Sequence, residues 1–191
     1  QTHHGCFDPA FLSQVPGMTV LCPSSFSELK EMLHFALFSV TGPVTIRYPR
    51  GAESVYKGCS LPVQFTPLRE GSDFTVLTYG ILVNEALKAA DILEKTGISV
   101  RVLKLNRIAP LSADEVSAML KGTTRLLVLE DCLDAGCVGQ RVAALALEAG
   151  VKLDKLILRN CGSTLPTEGS VDQLYSSRKL DGVGVAASIE E

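Results

Sequence analysis

Apolar residues recur at Phe26, Leu29, Leu33, Leu37 and Val40. Spacings of three and four predict one apolar helix face. Ser25 with Glu28 has the form of a capping box at its start, and Thr41-Gly42-Pro43 breaks it. On either side, Thr19–Cys22 and Val44–Ile46 are short apolar runs that read as buried strands. Strand, helix, strand is the βαβ unit of a parallel sheet. Residues 9–15 read as a short helix stopped by Pro16-Gly17.

Residues 52–72 carry no helical period. Small and polar residues mix with Pro62 and Pro67, and the stretch reads as a linker. The alternation then restarts. Phe74–Thr78 is an apolar strand closed by Gly80, and Val83, Ala86, Leu87, Ala90 and Leu93 stripe the helix after it. Val100–Leu103 is the next strand, and Ser112 with Glu115 caps a helix reaching Leu120. Arg125–Leu129 is a strand, Val138–Ala149 a helix, Lys155–Leu158 a strand, and residues 169–190 offer two short helices. Strands alternating with helices predict an open, doubly wound α/β domain, with right-handed crossovers and helices on both faces. The predicted division is 1–57 as a partial α/β layer, 58–70 as linker and 71–191 as the doubly wound domain.

Length, composition and charge narrow the function classes. A chain of 191 residues can bury a proper core. A formal charge of −3 gives no basic footprint, and with no Trp and 6% aromatics there is no stacking platform, so no nucleic-acid partner is expected. No apolar run approaches the roughly 20 residues that span a bilayer, so no membrane association is expected. The six cysteines include no C-x-x-C pair, and Cys132 with Cys137 lacks a second Cys/His set for zinc. They are expected to be reduced and to act as small hydrophobes in a cytoplasmic setting. The chain opens without Met, and the expectation is a piece of a larger enzyme.

Two segments carry candidate chemistry. Gln1-Thr2-His3-His4-Gly5-Cys6-Phe7-Asp8 supplies imidazole beside a glycine, and histidine titrates near neutral pH. Arg47-Tyr48-Pro49-Arg50-Gly51 supplies guanidinium at a strand end, where open α/β sheets bind ligands; its fork matches phosphate or carboxylate. Arg50 is the better ligand candidate and Arg47 the better structural one. Local chemistry alone leaves a surface histidine pair and a solvated arginine open. Glu130-Asp131 falls at another strand end, before Gly136 and Gly139. Two acids would repel a phosphate, so tight helix–strand packing is the favoured role of those glycines. Asp181-Gly182-Val183-Gly184 reads as a turn into the last helix.

These segments together resemble the 1-deoxy-D-xylulose-5-phosphate synthase family, thiamine-diphosphate enzymes of the transketolase group. That family carries Asp-Gly-x-Thr-His-x-Gly-x-Phe-Asp, which Gln1–Asp8 matches from its third position. It also carries Gly-Pro leading to Arg-Tyr-Pro-Arg-Gly, matched by Gly42-Pro43 and Arg47–Gly51. Tyr79-Gly80, Asn84-Glu85-Ala86, Asn106–Leu111 and Leu129-Glu130-Asp131 extend the likeness over the chain. The resemblance implies the back part of a pyrimidine-binding domain followed by a transketolase C-terminal-like domain. It implies a homodimer that condenses pyruvate with glyceraldehyde 3-phosphate, losing CO₂, for isoprenoid and thiamine synthesis in the cytoplasm, or the plastid of a plant. It implies His3 as the catalytic residue facing the reacting carbonyl and Arg50 as the clamp on the acceptor's phosphate. Thiamine diphosphate and Mg²⁺ are implied for the parent enzyme, with their main binding residues outside this chain; the chain alone is expected to be inactive. The alternatives are another transketolase, a 2-oxo-acid dehydrogenase E1 β-like ketol transferase, or a non-catalytic dimerisation or regulatory module.

Overall fold

In the computed structural model, residues 4–59 and 64–191 are described. A short helix α1 (Asp8–Leu12) leads to strand β1 (Thr19–Leu21), which pairs in parallel with β2 (Val44–Ile46) across helix α2 (Phe26–Phe38). This is the βαβ unit read from the pattern, but its helix is turned. Phe26, Leu33 and Leu37 of the apolar stripe are 59%, 47% and 74% exposed. The residues that α2 buries are Glu28 and Met32. The Glu28 carboxylate meets Lys104 at 3.0 Å, with both side chains fully buried. The predicted capping box is half formed: the Ser25 hydroxyl accepts from the Glu28 N–H. The Glu28 carboxylate returns to the Ser24 N–H at 2.7 Å and accepts from the Tyr56 hydroxyl at 3.0 Å.

The second sheet has the order β3-β5-β4-β7-β8. Its strands are β3 (Phe65–Arg69), β4 (Phe74–Tyr79), β5 (Val100–Leu105), β7 (Arg125–Leu129) and β8 (Lys155–Arg159). All pairings are parallel except that of the edge strand β3 with β5. Strand β3 lies in the stretch read as linker. Its Pro67 is tolerated because an edge strand need not donate on its outer side. The strand β6 (Arg107–Ala109), also absent from the sequence reading, leaves this sheet and pairs antiparallel with β1. It thereby closes one edge of the smaller sheet, giving the order β2-β1-β6.

Helices α3 (Val83–Glu94) and α7 (Gly182–Glu190) cover one face of the large sheet, where Ala86, Ala90, Leu93 and Val185 meet Val76 and Val102. Helices α4 (Ala113–Met119) and α5 (Val138–Glu148) cover the other, where Val116, Met119 and Val142 meet Leu77 and Val128. Val20 and Cys22 join this second cluster, so the two sheets share apolar core. The predicted box at Ser112 and Glu115 is complete at the start of α4. A short helix α6 (Val171–Ser177) precedes α7, whose N-cap Asp181 accepts from the Gly184 N–H. Doubly wound α/β architecture is thus observed, beside a partial layer.

Candidate active site

Strand β5 lies on one side of β4 and β7 on the other, so the winding reverses between β4 and β7. Open α/β sheets bind ligands at the carboxyl ends of such strands. Here those ends are Tyr79-Gly80 and Leu129-Glu130-Asp131. A cleft of about 540 Å³ opens at this place, lined by Gly80, Ile81 and Asp131 from the large sheet. His4, Gly5, Cys6 and Asp8 line it from the opening segment, and Arg47 to Arg50 line it from the end of β2. Tyr175 and Arg178, from α6 and its end, complete the wall.

The back of the cleft is a fixed ion pair. Arg47 donates to Asp131 Oδ1 at 2.8 Å, and its second terminal nitrogen donates to the Gly5 carbonyl at 3.3 Å. Burial is the largest single influence and opposes the Arg47 charge, but Asp131 together with lesser neighbouring groups holds the guanidinium well above its ordinary pKa. Arg47 is therefore spent on structure, as its position suggested. It ties the end of β2 to the end of β7 and to the opening segment. Gly5 turns with φ +66°, and a side chain there would meet Asp8 Oδ2 at 3.1 Å. Arg178 is likewise engaged, donating to the Cys161 carbonyl at 2.8 Å and the Leu165 carbonyl at 3.0 Å, which holds the 161–165 loop.

Arg50 is exposed at the rim and forms no ion pair or hydrogen bond among the described residues. The structure thus brings Arg50 and the opening segment into one cleft. His3 lies outside the described residues, and its neighbour His4 lines the wall. Sequence reading gave His4 no role and passed over Tyr175 and Arg178. No local pattern marks α6 as part of a site, because only the tertiary fold carries it there.

The helix start after Glu130 is not an anion cradle. Glu130 is fully buried and fills it, accepting from the Val138 and Gly139 N–H groups at 2.9 Å each and from the Tyr79 hydroxyl at 3.0 Å. A Cβ on Gly139 would stand 2.7 Å from Leu158 Cδ2, so the packing role expected of this glycine is realised. The same arrangement tests the thiamine diphosphate and Mg²⁺ implied by the resemblance. A carboxylate occupies the one helix start that the motifs offered to a diphosphate, and the described residues hold no cluster of three His, Cys, Asp or Glu able to ligate a metal. The residues present do not fit the diphosphate–metal end of that cofactor.

Comparison with known proteins places this geometry. Residues 64–185 match the family model of the transketolase C-terminal domain, and residues 1–54 match that of the transketolase pyrimidine-binding domain. The chain is 36% identical over 193 residues to 1-deoxy-D-xylulose-5-phosphate synthase of Chlorobium phaeovibrioides, covering 98% of this chain and 30% of that protein. Against the enzyme of the same name from Chlorobaculum tepidum it is 33% identical, covering all of this chain and 31% of that protein. The chain thus spans about a third of the length of such relatives. Among solved structures, a split-gene transketolase in the form of an inactive β4 tetramer superposes with TM-score 0.78 at 23% identity, over 97% of this chain and 60% of that one. A transketolase from Pichia stipitis, the R356L variant in complex with fructose 6-phosphate, gives 0.75 at 17% identity, over 97% of this chain and 26% of that one. With its larger part matched by the C-terminal domain model and its opening by the pyrimidine-binding model, the chain belongs to the transketolase family.

Proposed function

We propose that this chain is the substrate-facing and C-terminal portion of a 1-deoxy-D-xylulose-5-phosphate synthase. Such an enzyme joins pyruvate to glyceraldehyde 3-phosphate with loss of CO₂, and its product serves isoprenoid and thiamine synthesis. The observation that carries the reading is the meeting of two distant motifs, around His4 and around Arg50, in one cleft at the winding reversal. Arg50, without a partner among the described residues and exposed at the cleft, is suited to clamp the acceptor's phosphate. His3 is assigned hydrogen bonding and proton transfer to the oxygen that gains charge as the acceptor carbonyl reacts. Thiamine diphosphate, with Mg²⁺, supplies the carbanion chemistry when bound. Its seat belongs to parts of the whole enzyme that this chain does not contain, so the chain alone is inactive in this reading. Residues 1–57 are then the back of the pyrimidine-binding layer, and the C-terminal domain of a cytoplasmic homodimer begins with β3, inside the 58–70 stretch read as linker, and runs to residue 191.

The test is product analysis with the full-length protein, thiamine diphosphate and Mg²⁺. Pyruvate plus glyceraldehyde 3-phosphate should give CO₂ and 1-deoxy-D-xylulose 5-phosphate in equal amounts. Turnover of a ketose phosphate donor with no use of pyruvate would assign the protein to transketolase chemistry instead.

A further inference from the structure

We propose that His4 is a ligand-positioning residue, its Nδ1 hydrogen-bonding an oxygen of the anionic acceptor that Arg50 holds; this rests on the cleft being the substrate site proposed above. The Nδ1 atom of His4 is buried and has no hydrogen-bond partner among the described residues. A buried ring nitrogen left unpaired is costly, and native structures rarely keep one without a purpose. His4 is one of the residues that line the cleft. The backbone after it is pinned: the Gly5 carbonyl accepts from Arg47, and the Cys6 carbonyl accepts from the Leu133 N–H at 2.9 Å. His4 is therefore presented from a fixed segment.

Most other charged groups of the cleft are already engaged, although Arg47 Nε is, like His4 Nδ1, buried without a hydrogen-bond partner among the described residues. Arg47 is held by Asp131, and Arg178 by the carbonyls of Cys161 and Leu165. Asp8 and Asp131 are acceptors and repel an oxyanion. Arg50 and Tyr175 remain, one at the end of β2 and the other on α6. A small phosphorylated aldehyde carries hydroxyl and phosphate oxygens close together, so a clamp on its phosphate and a nitrogen on a neighbouring oxygen would fix its orientation.

The choice of substitutions separates the two ring nitrogens. Asn places a polar atom where Nδ1 stands, Gln where Nε2 stands, and Phe neither. In the full-length enzyme, His4→Phe and His4→Gln should raise KM for glyceraldehyde 3-phosphate about five- to tenfold, the loss of one hydrogen bond. His4→Asn should stay within about twofold of the parent, and KM for pyruvate should not move. Independently of folding in the variants, ¹⁵N spectra of the unsubstituted protein should show Nδ1 of His4 shifting on addition of inorganic phosphate. That shift should vanish in Arg50→Ala. An unchanged acceptor KM in His4→Phe, a His4→Asn variant as weak as His4→Phe, or an Nδ1 already hydrogen-bonded without phosphate overturns the proposal. If Arg50→Ala raises the acceptor KM while His4→Phe does not, only this inference falls. If neither does, the functional reading falls with it.

Discussion

At the scale of single residues, burial sets the behaviour of the thiols. Five of the six cysteines are buried and all are free. Burial pushes the Cys22 thiol from its ordinary 9.0 up to about 12. In the unfolded chain this thiol ionises near pH 9, while in the folded chain it keeps its proton to about 12. The folded state therefore binds more protons in that window. Its contribution is complete below pH 9 and is lost as pH rises towards 12, by up to about 1.4 kcal/mol per pH unit. Lys104, held below its ordinary value by burial against the pull of Glu28, works in the opposite sense. The difference between parent and Cys22→Ala isolates the thiol. Denaturant midpoints between pH 8 and 11 should fall more steeply for the parent than for Cys22→Ala; parallel curves would contradict this. The sequence made the buried thiols legible through their isolation from any ligand pattern. It made Arg47 and Arg50 legible as strand-end arginines. It could not give the partner of Arg47, Asp131, because that contact spans two sheets.

Among the elements, those with local signals were legible and those made by tertiary contact were not. Strand β7 and the box that starts α4 follow directly from an unbroken apolar run and a Ser-x-x-Glu pair. Strands β3 and β6 are short and depend on neighbours, β5 and β1, that are distant in sequence. Helix α2 has the expected length; Glu28 and Met32 are its buried residues, and much of its apolar stripe lies exposed on the partial layer. The start of α5 shows how a strand end and a helix are joined. The Glu130 carboxylate accepts two backbone N–H groups, where the helix dipole also favours negative charge. Glu130→Gln keeps the size but turns an amide donor towards those donors. Thermal or urea unfolding should report a loss of about 2–3 kcal/mol, whereas a change below about 0.5 kcal/mol would show that the contact is not a structural cap.

Taken whole, the molecule presents an unequal surface. Phe26, Leu33, Leu37 and Phe38 project from α2, the last two at 74% and 73% exposure. Strand β2 is paired on one side alone among the described residues. Exposed apolar faces beside an open sheet edge favour association. The 20.4 kDa chain should sediment near twice its mass at micromolar concentration, and Leu37→Asp with Phe38→Asp should return it to monomer. A parent that is already monomeric would remove this face from the dimer contacts. The central claim is that the cleft between the sheets takes a phosphorylated acceptor through Arg50. Steady-state kinetics of Arg50→Ala in the full-length enzyme, with each substrate varied, tests it most directly. A forked contact to phosphate is worth about 1.5–3 kcal/mol, so use of glyceraldehyde 3-phosphate should weaken by roughly ten- to a hundredfold, with KM for pyruvate little changed. A folded Arg50→Ala enzyme with an unaltered acceptor KM would contradict the account.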